Sequence, residues 1–552
     1  MGTPRLKTVV ATRLNADFIA SLIERYPTSA APLTEEWWSG LISTTPCRCP
    51  PPARPLSVEF LHPLLVAGVL GRSSQHRHEC GAVFVLESGR FIFHPRSLNT
   101  RTSPPPLSLP SPRFVCEMVA NCTTLTKFDF ASWFYQIPIP PFARPSFSFQ
   151  ASRADGGWTR LEMQVLPMGW AASCATADAA TRCIAGVPES ETWDRTGFAD
   201  DVTCYVDDVL ARTPGAALRF RVAAARAGAI LKTDCECSNG IVKYIGILIR
   251  VPGGQFRPSA ELTNKTRSAI ERLCDPASPP PSADEWLRAA GLTVALLERR
   301  GTCLAAGQVL FSRLPPRGQG RAAGLAGRRL AGSAAEAAVQ LASPGGWRRV
   351  VRPSSTCVGA SDASLGGWGW VWLTPVPRWG GGRWRSTASI NLLELIGVLR
   401  AVRRAPPDCR LLLWVDNLCT LHWINRGTSR LRLACNVILA IQSHLWRTGS
   451  TLEAAYIPSQ DNIADGMSRG SKAPASLHLP PWPGAWNRRV LGWSAPHYDG
   501  EDDDARDADD IDSASRGRDL AADEFDADIS QALEQLDELD PGDDIARVAG
   551  EE

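Results

Sequence analysis

The sequence predicts a multidomain chain of the α+β and α/β classes, on three observations. Two stretches, 114–250 and 354–470, alternate short apolar strands with helical patterns. Between them, 251–350 turns rich in Ala, Gly and Arg, with eight arginines against one acid, Glu336, from Arg313 to Arg352. The chain has 552 residues, enough for about three or four domains.

The segments follow in order. Residues 1–79 form an N-terminal arm, partly irregular, with a helical pattern from Phe18 to Tyr26 and then a Pro-rich stretch. A block over 80–250 opens with two strand patterns, A-V-F-V-L and R-F-I-F-H, passes a Ser/Pro loop, and continues as the first α/β stretch. A basic, helical connecting region spans 251–350, and a second α/β domain spans 351–470. Residues 471–498 are Pro/Trp-rich and read as an irregular linker. The 499–552 tail is acidic and expected to be mostly disordered. One short amphipathic helix fits within it, with Phe525, Ile529, Leu533 and Leu536 on one face.

The net charge of +2 conceals a division. The tail holds 22 acids and 4 bases, a net of −18, so the other 498 residues carry +20. A body that basic expects a polyanionic partner; an Arg-rich composition with scattered charge is the plainer alternative. The tail itself reads as a solvated segment, a mimic of nucleic acid held on the basic body, or a partner-binding helix. The 16 cysteines are spread singly, and neither a signal-peptide pattern nor a bilayer-length apolar run is present. Reduced thiols in an intracellular protein are expected, in the nucleus or a cytoplasmic particle, not secreted and with no membrane partner. Cys47, Cys49, His76, His78 and Cys80 offer zinc-ligand types at a spacing that fits no common finger.

Candidate chemistry begins at T-C-Y-V-D-D-V-L-A, residues 203–211. Asp207 and Asp208 between two strand-like runs mark a hairpin with an acidic tip. Asp129 ends another short strand in L-T-K-F-D-F, ahead of an aromatic cluster. Nucleotidyl transfer needs two magnesium ions on the attacking and leaving oxygens, and hard carboxylate oxygens suit them. One aspartate from a strand end and a pair from a neighbouring hairpin meet that need if the two elements lie side by side. A second set comprises Asp362, Glu394, Asp416 and Asp465, each on its own predicted element. Glu394 stands within an apolar helix, where an unpaired acid is costly. Four such acids could converge on two metals for phosphodiester hydrolysis.

In their order along 80–250, these motifs resemble the reverse transcriptases of retroelements. The resemblance implies a right-hand polymerase, with fingers and palm at 80–250 and thumb and connection at 251–350. It implies that Arg90 contacts the incoming dNTP, that Asp129, Asp207 and Asp208 hold two Mg2+ ions (or Mn2+), and that Phe134 excludes a ribose 2′ hydroxyl. L-P-M-G-W-A-A-S (166–173) resembles the block in which Met168 lies beside the dNTP and Gly169 lets backbone approach nucleotide and template. Tyr205 belongs to the Y-V-D-D hairpin; Lys232 resembles the lysine proposed as general acid to the pyrophosphate, and Y-I-G-I-L-I (244–249) the primer grip. The stretch V-F-V-L-E-S-G departs from the pattern, with Glu87 and no lysine before Arg90. That lost charge weakens the expected triphosphate contact.

Residues 354–470 resemble ribonuclease H, which implies two further metal ions on Asp362, Glu394, Asp416 and Asp465. The loop P-S-Q-D-N carries no histidine, unlike many members, and N-I-A-D-G-M-S-R has the retroelement form. The combined layout is most similar to DIRS-type/VIPER retrotransposon polymerases. The implied partners are an RNA template, a DNA primer, dNTPs and the RNA–DNA hybrid. One alternative is a catalytically degenerate remnant that only binds nucleic acid. A cellular telomerase-like polymerase is the other, and the ribonuclease H pattern argues against it.

Overall fold

The alternation of L-T-K-F-D-F buries Leu125, Phe128 and Phe130 while Lys127 and Asp129 keep access to solvent. That period-2 pattern is what a half-buried strand requires. The computed structural model describes residues 6, 13–27, 30–41, 56–73, 82–86, 88–100, 102–104, 107, 109–186, 201–237, 240–275, 282–307, 346–374, 376–384, 388–474, 476–483, 490–496 and 547–548. The zinc-type residues at 47–49 and 76–80, Glu87, the arginines from 313 to 329, and the tail helix at 525–536 lie outside the described residues.

The described chain divides into two units. In the first, helices α1 (Ala16–Arg25), α2 (Glu35–Leu41) and α3 (Val58–Val66) precede strand β1 (Leu70–Arg72). Asn15 caps α1, its side chain accepting from the N–H groups of Asp17 and Phe18. Next come β2 (Ala82–Val85), β3 (Phe91–His94), the single turn α4 (Arg96–Asn99), β4 (Leu125–Phe130), β5 (Ser148–Ser152) and β6 (Trp158–Met163). Helix α5 (Ser173–Ala185), strands β7 (Val202–Tyr205) and β8 (Asp208–Ala211), helix α6 (Pro214–Arg226), β9 (Leu231–Cys237) and β10 (Gly240–Tyr244) complete it. β2 and β3 form a hairpin, β1-β6-β5 an antiparallel sheet, and β7-β8-β4-β9 a four-stranded antiparallel sheet. α5 and α6 pack together, and α6 covers β4 and β8. Phe128 and Phe130 meet Phe220 of α6, and Phe130 stacks on Trp133 at 3.8 Å between centroids.

The second unit contains β11 (Ile247–Val251), β12 (Gln255–Pro258), α7 (Ala260–Cys274), α8 (Ala283–Arg300) and β13 (Arg348–Val350). A capping box of Ser282 and Glu285 starts α8. The next sheet is built from β14 (Ser355–Ala363), β15 (Gly367–Trp372) and β16 (Arg378–Arg383), with α9 (Ile390–Arg404) and β17 (Cys409–Val415) after them. Helices α10 (Leu418–Arg426) and α11 (Arg432–Thr448), β18 (Thr451–Tyr456), the turn α12 (Asp465–Ser468), β19 (Ser494–Pro496) and the two-residue β20 (Arg547–Val548) follow. The sheet order is β18-β17-β14-β15-β16-β20, parallel between β18, β17 and β14 and antiparallel elsewhere. β17 reads C-R-L-L-L-W-V, the near-continuous apolar run of a strand covered on both faces. On one side α9 packs against β14, β15 and α11.

No described helix is long and apolar enough to cross a membrane. The cysteines whose side chains are described are free thiols.

Candidate functional sites

The first acidic site grows from the register of β4 and β8. Asp129 lies directly opposite Asp208 across the antiparallel pair, and Asp207 follows Val206 in the two-residue turn between β7 and β8. Like charges facing one another across a ladder repel, and two lysines answer them. Lys232, on β9, donates to both carboxylate oxygens of Asp129 at 3.0 and 2.9 Å. Lys127, two residues before Asp129 on the same face of β4, reaches Asp208 Oδ1 at 2.8 Å. Burial raises the proton affinity of the Asp207 carboxyl, and the charges of Asp208 and Asp129 raise it further, with Lys232 opposing.

The turn itself is held from beneath. Val206 takes a positive φ of 58°, a conformation that costs a β-branched residue on the order of 1–3 kcal/mol. Two side chains of α5 fix it there. Asp178 accepts from the Val206 N–H at 3.1 Å, and the Thr181 hydroxyl donates to the Val206 carbonyl. Asp178 is 2% exposed and pairs with Arg182 at 2.9 Å. Burial raises its proton affinity, and Arg182 and the Val206 N–H pull it back. The buried Tyr244 hydroxyl stands 3.4 Å from the carbonyls of both Thr203 and Asp208. The sequence reading missed these supports, although an acid inside the Ala-rich run A-T-A-D-A-A-T was a visible signal.

The nucleotide-side candidates are arranged as follows. Arg90 is exposed just ahead of β3. Its charge partly offsets the rise in proton affinity that burial causes at the Tyr135 hydroxyl. Phe134 is half-buried in the 3-10 turn Trp133–Gln136, and Tyr205, half-buried, ends β7. The loop with Met168 and Gly169 is clamped to β3 and α4. The Phe93 N–H donates to Met168 O at 3.0 Å. Asn99 donates to Gly169 O and accepts from the Ala171 N–H, both at 2.9 Å. Gly169 has a φ of +114°, and a Cβ there would stand 2.4 Å from the Phe93 carbonyl oxygen. Neither requirement admits another residue without a shift of the backbone.

The second acidic site lies at the C-terminal ends of the central strands β14 and β17. Asp362 is in β14, Glu394 in α9, and Asp416 follows β17. One carboxylate oxygen from each falls within 4.8 Å of the others. Asp362 and Glu394 are 4% and 5% exposed. Burial pushes Glu394 up to about 9, with the charges of Asp362, Asp416 and Asp465 adding to it. Asp362 is pushed up to about 7, first by burial, against a hydrogen bond from Ser468. Glu394 Oε2 accepts from the Ala363 N–H at 3.1 Å, while Asp416 Oδ1 is buried with no hydrogen-bond partner among the described residues. Three crowded hard-oxygen groups, one orphaned, fit a divalent cation. The fourth predicted acid, Asp465, begins α12 and is not in that trio. Its carboxylate is forked by Arg469, with contacts of 3.0, 3.0 and 2.8 Å. Asn462 supports the site from the adjacent turn, donating to Ser361 O at 3.1 Å and Asp362 Oδ1 at 3.4 Å.

The acids of the first site do not form so tight a group among the described residues. There two ammonium groups already stand against Asp129 and Asp208, as cations would, and burial disfavours the charge of Asp207. This donor set fits a divalent cation in chemistry, with the lysines as competitors.

No protein family matches the chain by sequence, and no curated protein does. Among solved structures, the chain is similar to a foamy viral protease–reverse transcriptase dRH in complex with double-stranded DNA. Identity is 14% over 83% of this chain and 84% of that one, with a TM-score of 0.42. A foamy viral protease–reverse transcriptase with double-stranded DNA gives 15% over 82% and 99%, with a TM-score of 0.40. The complex of that protein with an RNA/DNA hybrid gives 14% over 87% and 67%, with a TM-score of 0.42.

Proposed function

We propose that the chain is an RNA-directed DNA polymerase of a retrotransposon, of the DIRS-like kind, which also degrades the RNA strand of RNA–DNA hybrids. The observation that carries this reading is the first acidic site: Asp129 faces Asp208 across β4 and β8, with Asp207 in the turn beside them. Three carboxylates on one sheet, with Lys127 and Lys232 beside them, suit the binding of a triphosphate through metal. Magnesium ions, when bound there by Asp129, Asp207 and Asp208, would lower the charge on the attacking and leaving oxygens.

In this reading the chain's own groups do the remaining work. The sheet and its α5 supports hold the aspartates still, so little reorganisation accompanies the reaction. Lys232, released from Asp129, offers its Nζ proton to the departing pyrophosphate. Arg90 draws in the triphosphate, while Met168 and the Gly169 backbone line the base-pair side. The Phe134 ring, five residues after Asp129, crowds the sugar 2′ position. In the second site, Asp362, Glu394, Asp416 and Asp465 would hold two ions for hydrolysis of RNA in the hybrid. Its own observation is the trio of carboxylates within 4.8 Å. For Asp362 and Glu394, burial disfavours the deprotonated forms that would hold metal.

Primer extension on an RNA template with magnesium tests the polymerase, run beside an Asp207→Asn, Asp208→Asn double variant. Extension by the wild-type chain alone supports the reading. Hybrid binding without extension by either protein overturns it in favour of a remnant that only binds nucleic acid.

A further inference from the structure

Among the described residues, two of the three acids at the first site carry a lysine and one does not. The two lysines are differently placed. Lys232 Nζ spans both oxygens of Asp129, and its side chain is 47% exposed. Lys127 is 24% exposed and Asp208 26%. Lys127 comes from the central strand, its position opposite Leu210, so its stem lies along the sheet towards Asp208 diagonally across the ladder. β9 borders it on the other side, opposite Cys235. An ammonium on a stem laid along the sheet loses less freedom in its ion pair than one on a free side chain.

We propose that Lys127 is a positioning residue that holds Asp208 as a charge-neutralised member of the acid set, so that divalent cations are taken up first through Asp129 and Asp207. The inference rests on the reading of this site as a metal-dependent centre. Lys232 has solvent to move into when a cation takes Asp129. Lys127 stays with Asp208, keeping the second aspartate of the pair oriented and lowering the total negative charge that the folded chain must tolerate without metal. Among the described residues, Asp207 has no such cation. Lys127 thereby weakens metal uptake and orders it.

The test uses the full-length chain carrying Asp362→Asn and Asp416→Asn, which removes the other acidic cluster, and follows Mn2+ binding by electron paramagnetic resonance without nucleic acid or nucleotide. Lys127→Met removes a unit positive charge bonded to one ligand and should bind Mn2+ about tenfold more tightly. Lys127→Arg should bind within about twofold of the parent, and it should retain extension activity where Met loses it. Independently of any Lys127 variant, Asp207→Asn should weaken Mn2+ binding at least about tenfold, and Asp208→Asn less than about threefold. Equal affinity in Lys127→Met and the parent, with binding still abolished by Asp129→Asn, overturns the inference and leaves the metal site standing. Equal losses from Asp207→Asn and Asp208→Asn do the same. No Mn2+ binding by the parent overturns the inference and the metal-dependent reading together.

Discussion

Replacing Glu394 by glutamine should make the protein more stable at pH 8 and leave it nearly unchanged at pH 5. The carboxyl is 5% exposed on α9, and burial pushes it up to about 9 from an ordinary value of 4.5. Below that ordinary value the folded and unfolded chains both hold the proton, so stability does not depend on this group. Between the two values the folded protein keeps a proton that the unfolded chain has released. Stability therefore falls as pH rises, by about 1.4 kcal/mol per unit for one proton. Above the upper value both states are ionised and the loss is complete. The three pH units from 5 to 8 give an upper bound of about 4 kcal/mol, and relaxation around the acids reduces this to the order of 2–4 kcal/mol. Glutamine mimics the protonated form and can still accept from the Ala363 N–H, so its gain over wild type should grow from near zero to that size. Urea unfolding of both proteins in chelator, at half-unit steps of pH, measures the difference. Parallel pH dependences for the two proteins would refute the raised proton affinity and the crowding invoked for it. Magnesium at pH 8 should stabilise the wild type and have much less effect on Glu394→Gln.

Gly169→Ala should destabilise the first unit by about 3 kcal/mol, because alanine is strained at that φ and its Cβ meets the Phe93 carbonyl; thermal unfolding should show a drop of roughly 5–10 °C. Asp178→Ala removes the carboxylate that Arg182 pairs with and the acceptor for the Val206 N–H. A loss of about 3 kcal/mol should accompany a fall in extension kcat with the dNTP KM little changed. Asp178→Asn keeps the acceptor and should recover part of kcat. Arg469→Gln frees Asp465 from its fork and should tighten Mn2+ binding at the second site about threefold, measured calorimetrically in an Asp129→Asn, Asp207→Asn background.

The strand ends that bear acids were legible because the apolar alternation and the turn residues lie in single short windows. Asp129 at the end of L-T-K-F-D-F and the Y-V-D-D hairpin fall into place from local pattern, and β4 with β8 adds the register that brings the acids opposite. The same alternation puts Lys127 on the face of Asp129, so that lysine could have been read as well. What the residues could not disclose are partners set by chain return. Asn99 closes on the loop at 169–171 about seventy positions later, and Asp178 on Val206. Only packing decides such contacts. The Arg469 fork on Asp465 is an i,i+4 pair, a spacing visible in sequence that reading the acid as a ligand or a cap passed over.

Glycine 369 shows how an acid can be placed by something missing. Gly369 on β15 lies so near α12 that a Cβ would stand 2.4 Å from Met467 Cβ, 2.8 Å from Ser468 N and 2.9 Å from Ala464 O. The turn carrying Asp465 rests on bare backbone. Every amino-acid replacement at this codon adds at least one carbon, so the position has no neutral neighbour in mutational space. A scan of all substitutions across 351–470 would find Gly369 as intolerant as an acid of the site, although it bears no chemical group. The placement of Asp465 can therefore be lost through that glycine as readily as through replacement of the acid itself.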